Sequence, residues 1–145
     1  MADPLGVATV EDITVRADLR GVVFEPLDDA RLPRQRNVHV VTTEPGAVRG
    51  NHYHERGTEV AVVVGPGRVR VREAGAVRDV LVPAGCAYRF TFPPRVSHAF
   101  ENTGQAPMLL VAFNTSVFDR ATPDVVRYEL IAAAPGGAST PTRRD

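Results

Sequence analysis

Two histidines that stand two positions apart are the residues of this sequence best placed to do chemistry. His52 and His54 lie in the stretch GAVRGNHYHERGTE, residues 46–59. On an extended strand, side chains at positions i and i+2 leave the same face, so both imidazoles point the same way. Neutral imidazole is the commonest protein ligand for transition metals. The pair therefore predicts half of a metal site.

A third imidazole is available further along the chain. His98 follows a strand-like run and the break at Pro93-Pro94, in the stretch PPRVSHAFEN. A lone histidine on a strand is more often a hydrogen-bonded structural residue than a ligand. Here, all four histidines of the protein fall on predicted strands that can meet inside one barrel. We therefore predict that His98 completes a three-histidine set with His52 and His54.

Two residues compete for a fourth position in this site. Glu59 lies five positions after His54, on the next predicted strand, and offers a carboxylate. Residues 44–47 read Glu-Pro-Gly-Ala, which predicts a type II turn. If that turn closes a tight hairpin, His39 stands opposite His52. Both candidates stay open at this point, since an octahedral ion has room for both.

The composition narrows the classes of partner and reaction. The 145 residues carry 17 acidic and 17 basic side chains, so the formal net charge is zero, and we expect neither nucleic acid nor a membrane surface as a partner. Every basic residue is arginine, which excludes lysine Schiff-base chemistry. The single Cys86 cannot form an internal disulfide. With no apolar run of about 20 residues and no secretory signal, we expect a cytoplasmic protein.

Short runs of β-branched and aromatic residues, separated by glycine and proline turns, indicate about nine or ten strands. The run Glu59–Val64 is almost wholly apolar and should be a central strand of a sheet. Residues 68–73 alternate between polar and apolar and should form a strand with one solvent-exposed face. Tyr88, Phe90 and Phe92 share one face of a later strand. They are either core residues or the lining of an aromatic-friendly pocket.

The absence of a convincing amphipathic helix from this pattern favours an all-β barrel or sandwich. We divide the chain into an N-terminal arm with edge strands, a barrel and a disordered tail. The arm covers residues 1–36, the barrel residues 37–133 and the tail residues 134–145.

Both histidine-containing stretches resemble sequence motifs of the cupin family. GAVRGNHYHERGTEV is similar to the first motif, which has a glycine, five residues, His-x-His, four residues and a glutamate. PPRVSHAFEN is similar to the second motif, whose histidine is His98. The resemblance covers roughly residues 37–114 and implies a single-domain cupin, a double-stranded β-helix or jelly-roll barrel. Two departures alter turns only: Pro66 replaces one glycine of the first motif, and Arg95 replaces one of the second.

Within the cupins, the chain looks most similar to the small zinc cyclases of aromatic polyketide biosynthesis, of the resistomycin type. This resemblance implies zinc held mainly by histidines, with nickel, iron or manganese as other possible metals; the ligands would be His39, His52, His54 and His98. It also implies aldol-type ring closure of a poly-β-keto intermediate in antibiotic biosynthesis. The substrate would be a polyketide that an acyl carrier protein can hold, Glu59 would transfer protons, and the enzyme would be a homodimer.

Two other functions stay open. Cupins that isomerise or epimerise nucleotide-linked keto-sugars share the RGNHYH pattern and a late FD-x-x-x-PD pattern. The late pattern is matched here by Phe118, Asp119, Pro123 and Asp124. The second of these hypotheses is a non-catalytic cupin that only binds a small metabolite. The keto-sugar enzymes would need several arginines near the barrel mouth to bind a diphosphate.

Overall fold

Short β-branched runs bounded by glycine and proline form strands throughout the computed structural model, which describes residues 6–133. The described residues contain twelve strands and one 3-10 helix, Leu32–Arg34. The first six strands are β1 (Thr9–Ile13), β2 (Arg16–Asp18), β3 (Gly21–Val23), β4 (Asn37–Thr43), β5 (Val48–His54) and β6 (Glu59–Val64). The other six are β7 (Gly67–Glu73), β8 (Ala76–Val82), β9 (Ala87–Phe92), β10 (Ser97–Asn102), β11 (Met108–Asn114) and β12 (Val125–Arg127). The predicted tail lies outside the described residues. Within them, no helix has the length and hydropathy to span a membrane.

Ten of these strands build two five-stranded antiparallel sheets. The first sheet has the order β1-β9-β6-β11-β4, and the second has the order β12-β5-β10-β7-β8. Strands β2 and β3 pair with each other as a separate hairpin. Most neighbours within a sheet are distant in sequence, so the chain passes repeatedly from one sheet to the other.

The hydrophobic core lies between the two sheets. Ala61, Val63 and Phe90 of the first sheet pack in one cluster with Val69 and Phe100 of the second, and all five are essentially inaccessible to solvent. The face that each sheet turns toward this core is called its inner face below. Burial of such aliphatic and aromatic side chains is the main stabilising term of a domain of this size. Two sheets sharing one core confirm the predicted all-β, jelly-roll class.

Strand β6 is central to the first sheet, as its apolar sequence predicted. Its inner face contributes to the core, and its outer face is also covered. On that outer side Val62 packs with Ile13, and Val60 packs with Leu27. Residues from the N-terminal arm therefore bury the back of the strand that carries Glu59 at its first position.

The predicted turn at residues 44–47 forms, but the predicted hairpin around it is wrong. Ala47 N donates to Glu44 O at 2.9 Å, and Gly46 has a φ of +76°. Strand β4 nevertheless pairs with β11 in the first sheet, while β5 pairs with β10 and β12 in the second. The turn reverses the chain locally, but the partner of each strand is decided by which face it can bury. His39 consequently stands opposite Ala112 and not His52.

A β-bulge interrupts β5 immediately before the His-x-His pair. In the pairing with β10, His52 faces His98 and Gly50 faces Ala99, which leaves Asn51 as the extra residue. Both bulge residues have positive φ, +80° at Gly50 and +56° at Asn51. Such a bulge bends the strand and changes the direction of the side chains that follow.

We predict that Gly50→Ala destabilises the fold more than Gly85→Ala. The two glycines have nearly the same φ, +80° and +77°, so both alanines incur about 1 kcal/mol of left-handed strain. A Cβ at Gly50 would also lie 2.9 Å from the backbone oxygen of His98, whereas one at Gly85 meets nothing within 4 Å. Urea denaturation should therefore show a loss of about 1 kcal/mol for Gly85→Ala and roughly 2–4 kcal/mol for Gly50→Ala. Equal losses would mean that the close approach at the bulge carries no cost.

Candidate metal centre

Three imidazoles and one carboxylate converge at one place between the sheets. One ligand atom from each of the four side chains lies within 4.8 Å of all the others; the residues are His52, His54, Glu59 and His98. The first two come from β5 and His98 from β10, which are neighbours in the second sheet. Glu59 comes from β6 of the first sheet and reaches across. This group is called the His3Glu cluster below.

The carboxylate of Glu59 is the centre of the His3Glu cluster. Its Oε2 atom lies 2.5 Å from His54 Nε2, 3.5 Å from His98 Nε2 and 3.7 Å from His52 Nε2. All three imidazoles thus present the same ring nitrogen to one oxygen. Three Nε2 atoms gathered around one carboxylate oxygen provide the donor set of a first-row transition-metal site.

The tautomer of His98 is set by its other nitrogen. His98 is fully buried, its Nδ1 atom lies 3.0 Å from Val96 O, and its ring stacks on Phe92 at 4.0 Å between centroids. A carbonyl oxygen can only accept, so Nδ1 carries a proton and Nε2 is the nitrogen that can offer a lone pair to a cation in the cluster. A backbone acceptor that fixes the outer nitrogen is the usual support of a metal-binding histidine.

Two of these nitrogens have no hydrogen-bond partner. The Nε2 atoms of His52 and His98 are both buried and unsatisfied among the described residues. Leaving a buried polar atom unpaired costs about 1–3 kcal/mol. A cation bound between the four side chains would satisfy both atoms, so the residues present fit a metal ion.

Electrostatics keep Glu59 ionised. Burial of this side chain, which is 4% exposed, disfavours its charged form. The coulombic effect of His98, together with the contacts of Glu59 with the imidazoles, above all its hydrogen bond with His54, outweighs that burial and holds the pKa of Glu59 well below its usual range. The cluster therefore supplies an anionic oxygen together with nitrogen donors, which suits a divalent cation.

His39 is not brought into the His3Glu cluster. It lies on β4, the edge strand of the first sheet, and its side chain is exposed. Cross-strand partners share a face, and His39 stands in a row with Ala112 and Ala61, the latter a core residue. His39 therefore belongs to the inner face of the first sheet, on its edge strand. Its predicted place beside His52 depended on a hairpin that does not form.

The aromatic side chains predicted to share a face do so. Phe90 and Phe92 are buried in the core cluster, and Tyr88 packs against it. Phe92 additionally stacks on His98. In the structure, these residues belong to the core or pack against it, and Phe92 contacts the metal-site residue His98 directly.

Two arginines stand beside the cluster on the same face of the second sheet. Arg127 pairs with His52 across β12 and β5, and Arg49 pairs with the core residue Phe100. Because cross-strand partners share a face, both arginines belong to the inner face, and both are exposed. The sequence analysis selected neither one, although Arg49 is the first residue of the RGNHYH pattern. Only the register of the sheet reveals them.

Sequence reasoning also missed two residues that support the His-x-His pair. Asp124 Oδ2 lies 3.8 Å from His54 Nδ1, and the Asp124 carboxylate accepts hydrogen bonds from the backbone N–H groups of Arg56 and Gly57. Asn51, the bulge residue, is buried and hydrogen-bonded to residues 128–131. Asp124 had been noticed as part of the late FD-x-x-x-PD pattern, but nothing in the sequence indicated its contact with His54.

Comparison with known proteins identifies the family. Residues 16–126 match the polysaccharide biosynthesis C-terminal domain. The chain belongs to this family. It is 30% identical over 116 residues to a UDP-2-acetamido-2,6-beta-L-arabino-hexul-4-ose reductase of Pseudomonas aeruginosa, a match that covers 78% of this chain and 30% of the reductase.

Solved structures of related fold agree with this assignment. The capsular polysaccharide assembling protein CapF of Staphylococcus aureus is 25% identical, with a TM-score of 0.61 over 81% of this chain and 33% of CapF. QdtA, a sugar 3,4-ketoisomerase of Thermoanaerobacterium thermosaccharolyticum solved with TDP, is 15% identical, with a TM-score of 0.65 over 83% of this chain and 87% of QdtA. This family member therefore has the cupin-like jelly-roll fold that its motifs implied. The chain spans about a third of the length of the reductase and of CapF.

These findings overturn part of the sequence interpretation. The prediction of a polyketide cyclase in antibiotic biosynthesis is wrong, because the relatives are enzymes and assembly proteins of sugar and polysaccharide metabolism. The predicted carrier-bound polyketide substrate is wrong for the same reason. The predicted homodimer is not shown. The motifs that the chain shares with polyketide cyclases specify the metal site and the barrel, and both occur in cupins of several functions.

We predict that Glu59→Gln loses bound metal and that His39→Ala retains it. The glutamine keeps the shape of the side chain but removes the negative charge from the centre of the cluster, whereas His39 lies outside it. After loading with zinc and desalting, elemental analysis should find about one ion per chain in the wild-type protein and in His39→Ala. The metal content of Glu59→Gln should fall roughly tenfold or more. The reverse order would restore His39 as the fourth ligand.

Proposed function

We propose that this protein acts on a nucleotide-linked keto-sugar and moves a proton at the carbon next to the carbonyl group, so that the sugar is isomerised or epimerised. The observation that carries the proposal is the His3Glu cluster, enclosed between the two sheets and flanked by Arg49 and Arg127. The names of the relatives supply the substrate class, since one acts on a UDP-linked sugar and another is a sugar ketoisomerase solved with TDP.

The residues that would hold a metal are His52, His54, Glu59 and His98, and zinc is the ion we propose for a site of three imidazoles and one carboxylate. When bound, a divalent cation supplies positive charge beside a carbonyl oxygen that becomes more negative as the neighbouring carbon loses its proton. Val96 and Phe92 fix the orientation of His98 in this set. The stack of Phe92 against that ring also helps to exclude water from the inner side of the site.

The substrate diphosphate is assigned to Arg49 and Arg127. Both side chains lie on the inner face at the open edge of the second sheet, and both are exposed to solvent. Guanidinium groups form paired, charge-assisted hydrogen bonds with phosphate oxygens. A diphosphate held at this rim would direct the attached sugar inward, toward the His3Glu cluster.

Proton transfer is better assigned to His39 than to Glu59. The Oε2 atom of Glu59 lies within 3.7 Å of all three Nε2 atoms, so this carboxylate is assigned to holding the cation and not to moving a proton. His39 has no place among the cluster's ligands and stands on the inner face with access to solvent. In the proposed reaction its imidazole takes the proton from the carbon next to the carbonyl. In an epimerisation, water then supplies a proton to the other face of that carbon and His39 gives its proton up to solvent. In an isomerisation, the former carbonyl carbon receives the proton, and the hydroxyl proton of the first carbon passes to the former carbonyl oxygen, so neither reaction involves net oxidation.

We predict that the zinc-loaded protein catalyses deuterium incorporation from D2O into a TDP- or UDP-linked 4-keto-6-deoxy-sugar, at the carbon next to the carbonyl. Mass spectrometry and NMR of the recovered sugar would measure the label. His98→Ala should abolish exchange together with metal binding. His39→Ala should keep its zinc and lose roughly a hundredfold in rate, since a positioned proton carrier contributes about 10²–10⁴.

The rim arginines provide a second measurement in the same assay. Arg127→Gln should raise the KM for the nucleotide-linked sugar more than it lowers kcat, because Arg127 is assigned to a group remote from the reacting carbon. Arg120→Gln, at an exposed arginine before Asp124, is the matched control and should change neither. Tight binding of the sugar with no exchange would make this protein a sugar-binding module, and neither binding nor exchange would refute the proposed function.

A further inference from the structure

The C-terminal part of the described chain clamps the strand that carries the His-x-His pair. Residues 124–131, called the strap below, run alongside β5 and contact it before, along and after His52 and His54. The middle of the contact is strand pairing: Val125 stands opposite His54 and Arg127 opposite His52. Side-chain hydrogen bonds hold the two ends of the strap: those of Asp124 hold one end, and those of Asn51 hold the other.

Asn51 fastens the strap at the bulge. Its Oδ1 accepts hydrogen bonds from Leu130 N at 2.8 Å and Ile131 N at 3.1 Å, its Nδ2 donates to Ile131 O at 2.9 Å, and its backbone oxygen accepts from Tyr128 N at 2.7 Å. Asn51 is 8% exposed and Ile131 5% exposed, so these bonds are shielded from water. The side chain thus takes the place of a strand neighbour where the bulge leaves the ladder unpaired.

Asp124 fastens the other end, just beyond His54. Its carboxylate accepts from Arg56 N at 2.9 Å and Gly57 N at 2.8 Å, and its backbone oxygen accepts from Glu55 N at 3.0 Å. The same carboxylate lies 3.8 Å from His54 Nδ1. A negative charge on this side favours a cation bound at the opposite nitrogen, which faces Glu59.

The second sheet holds the strap from its outer side as well. Arg70 donates to Leu130 O at 3.2 Å, and the guanidinium of Arg72 lies 5.2 Å from the centroid of the Tyr128 ring. These contacts would keep residues 128–131 docked even without Asn51. Removal of the Asn51 side chain therefore separates the clamp on the bulge from the docking of the strap itself.

We propose that Asn51 and Asp124 are positioning residues for the metal site, which set its affinity by fixing both ends of the His52–His54 segment through the strap. This inference rests on the cation site of the proposed function. A bulge re-aims the side chains beside it, so a change in the backbone of Gly50 and Asn51 would redirect His52. Ligands must be held within about 0.5 Å of their working positions. The strap supplies that constraint from outside the cluster.

The test uses cobalt(II) alone as the probe, because its absorption bands report the ligand geometry directly. Asn51→Gly keeps the positive φ and removes the clamp, whereas Asp124→Asn removes the charge behind His54. Each should weaken Co²⁺ binding roughly tenfold or more, as outer-shell substitutions at metal sites do. The matched control is Asn102→Ala. Asn102 is also buried and makes three side-chain hydrogen bonds to backbone groups, at the end of β10 away from the cluster.

Asn102→Ala should lose stability in urea to a similar extent as Asn51→Gly and yet bind Co²⁺ with wild-type affinity. If Asn102→Ala weakened Co²⁺ binding as much as Asn51→Gly does, the loss would be an effect of general instability. That result would overturn the proposal. Wild-type affinity in both Asn51→Gly and Asp124→Asn would overturn it too.

Reciprocity gives a second measurement that needs no variant. If the strap raises the affinity for the cation, the cation must stabilise the docked strap by the same free energy. Added Co²⁺ should therefore slow hydrogen exchange at the amides of Tyr128, Leu130 and Ile131 in the wild-type protein. The proposal requires this slowing as well as the weaker binding in the variants, and failure of either overturns it.

Neither measurement uses a sugar substrate, so the two proposals can fail separately. If the wild-type protein binds Co²⁺ but does not exchange deuterium into any nucleotide-linked keto-sugar, the proposed function is refuted. The positioning role of Asn51 and Asp124 is not affected by that result. Unchanged affinity in both clamp variants, with normal turnover, would refute the clamp alone. A wild-type protein that binds no Co²⁺ would refute both.

Discussion

A buried carboxylate surrounded by three imidazoles is the interaction on which the rest of this structure depends. The two sheets meet at this point, because Glu59 reaches from the first sheet into a group of histidines that belongs to the second. Burial alone would favour a neutral Glu59, and the nearby imidazoles reverse that preference. Two of the imidazole nitrogens remain unsatisfied in the interior. An arrangement that would be costly for a purely structural core is the arrangement that a divalent cation requires.

The surroundings of the cluster explain how a small barrel can hold four side chains so close together. Strand β6 is buried on both faces, which fixes Glu59 at its start. His98 is held by a backbone carbonyl and by an aromatic stack. The pair on β5 follows a bulge and has an edge strand of only three residues beside it. Around this pair, side-chain hydrogen bonds of Asn51 and Asp124 join residues 51–57 to the strap.

The family relationship changes the interpretation of the site without changing its geometry. The cupin motifs contain the donors of the candidate metal site, and they were compatible with a polyketide and with a sugar substrate. The residues proposed to bind the substrate, Arg49 and Arg127, lie on the inner face of the second sheet, and Arg127 is far from the histidines in the sequence. The motifs therefore implied the correct barrel and left two enzyme classes open. The family match and the reductase relative favour the keto-sugar class over the polyketide cyclase.

The sequence by itself determined the local features of this protein. Alternation and β-branching identified most of the strands, glycine and proline placed the turns, and the i, i+2 spacing put His52 and His54 on one face, because each of these depends only on neighbouring residues. The tertiary structure decided which strands pair. In it, β4 and β5 belong to different sheets, so His39 is separated from His52, and Glu59 completes the cluster. It also placed Asn51 and Asp124, which are 73 residues apart in the chain, at the two ends of the His52–His54 segment. Strand pairing and such contacts depend on which surfaces bury together, a property of the whole chain that no local pattern contains.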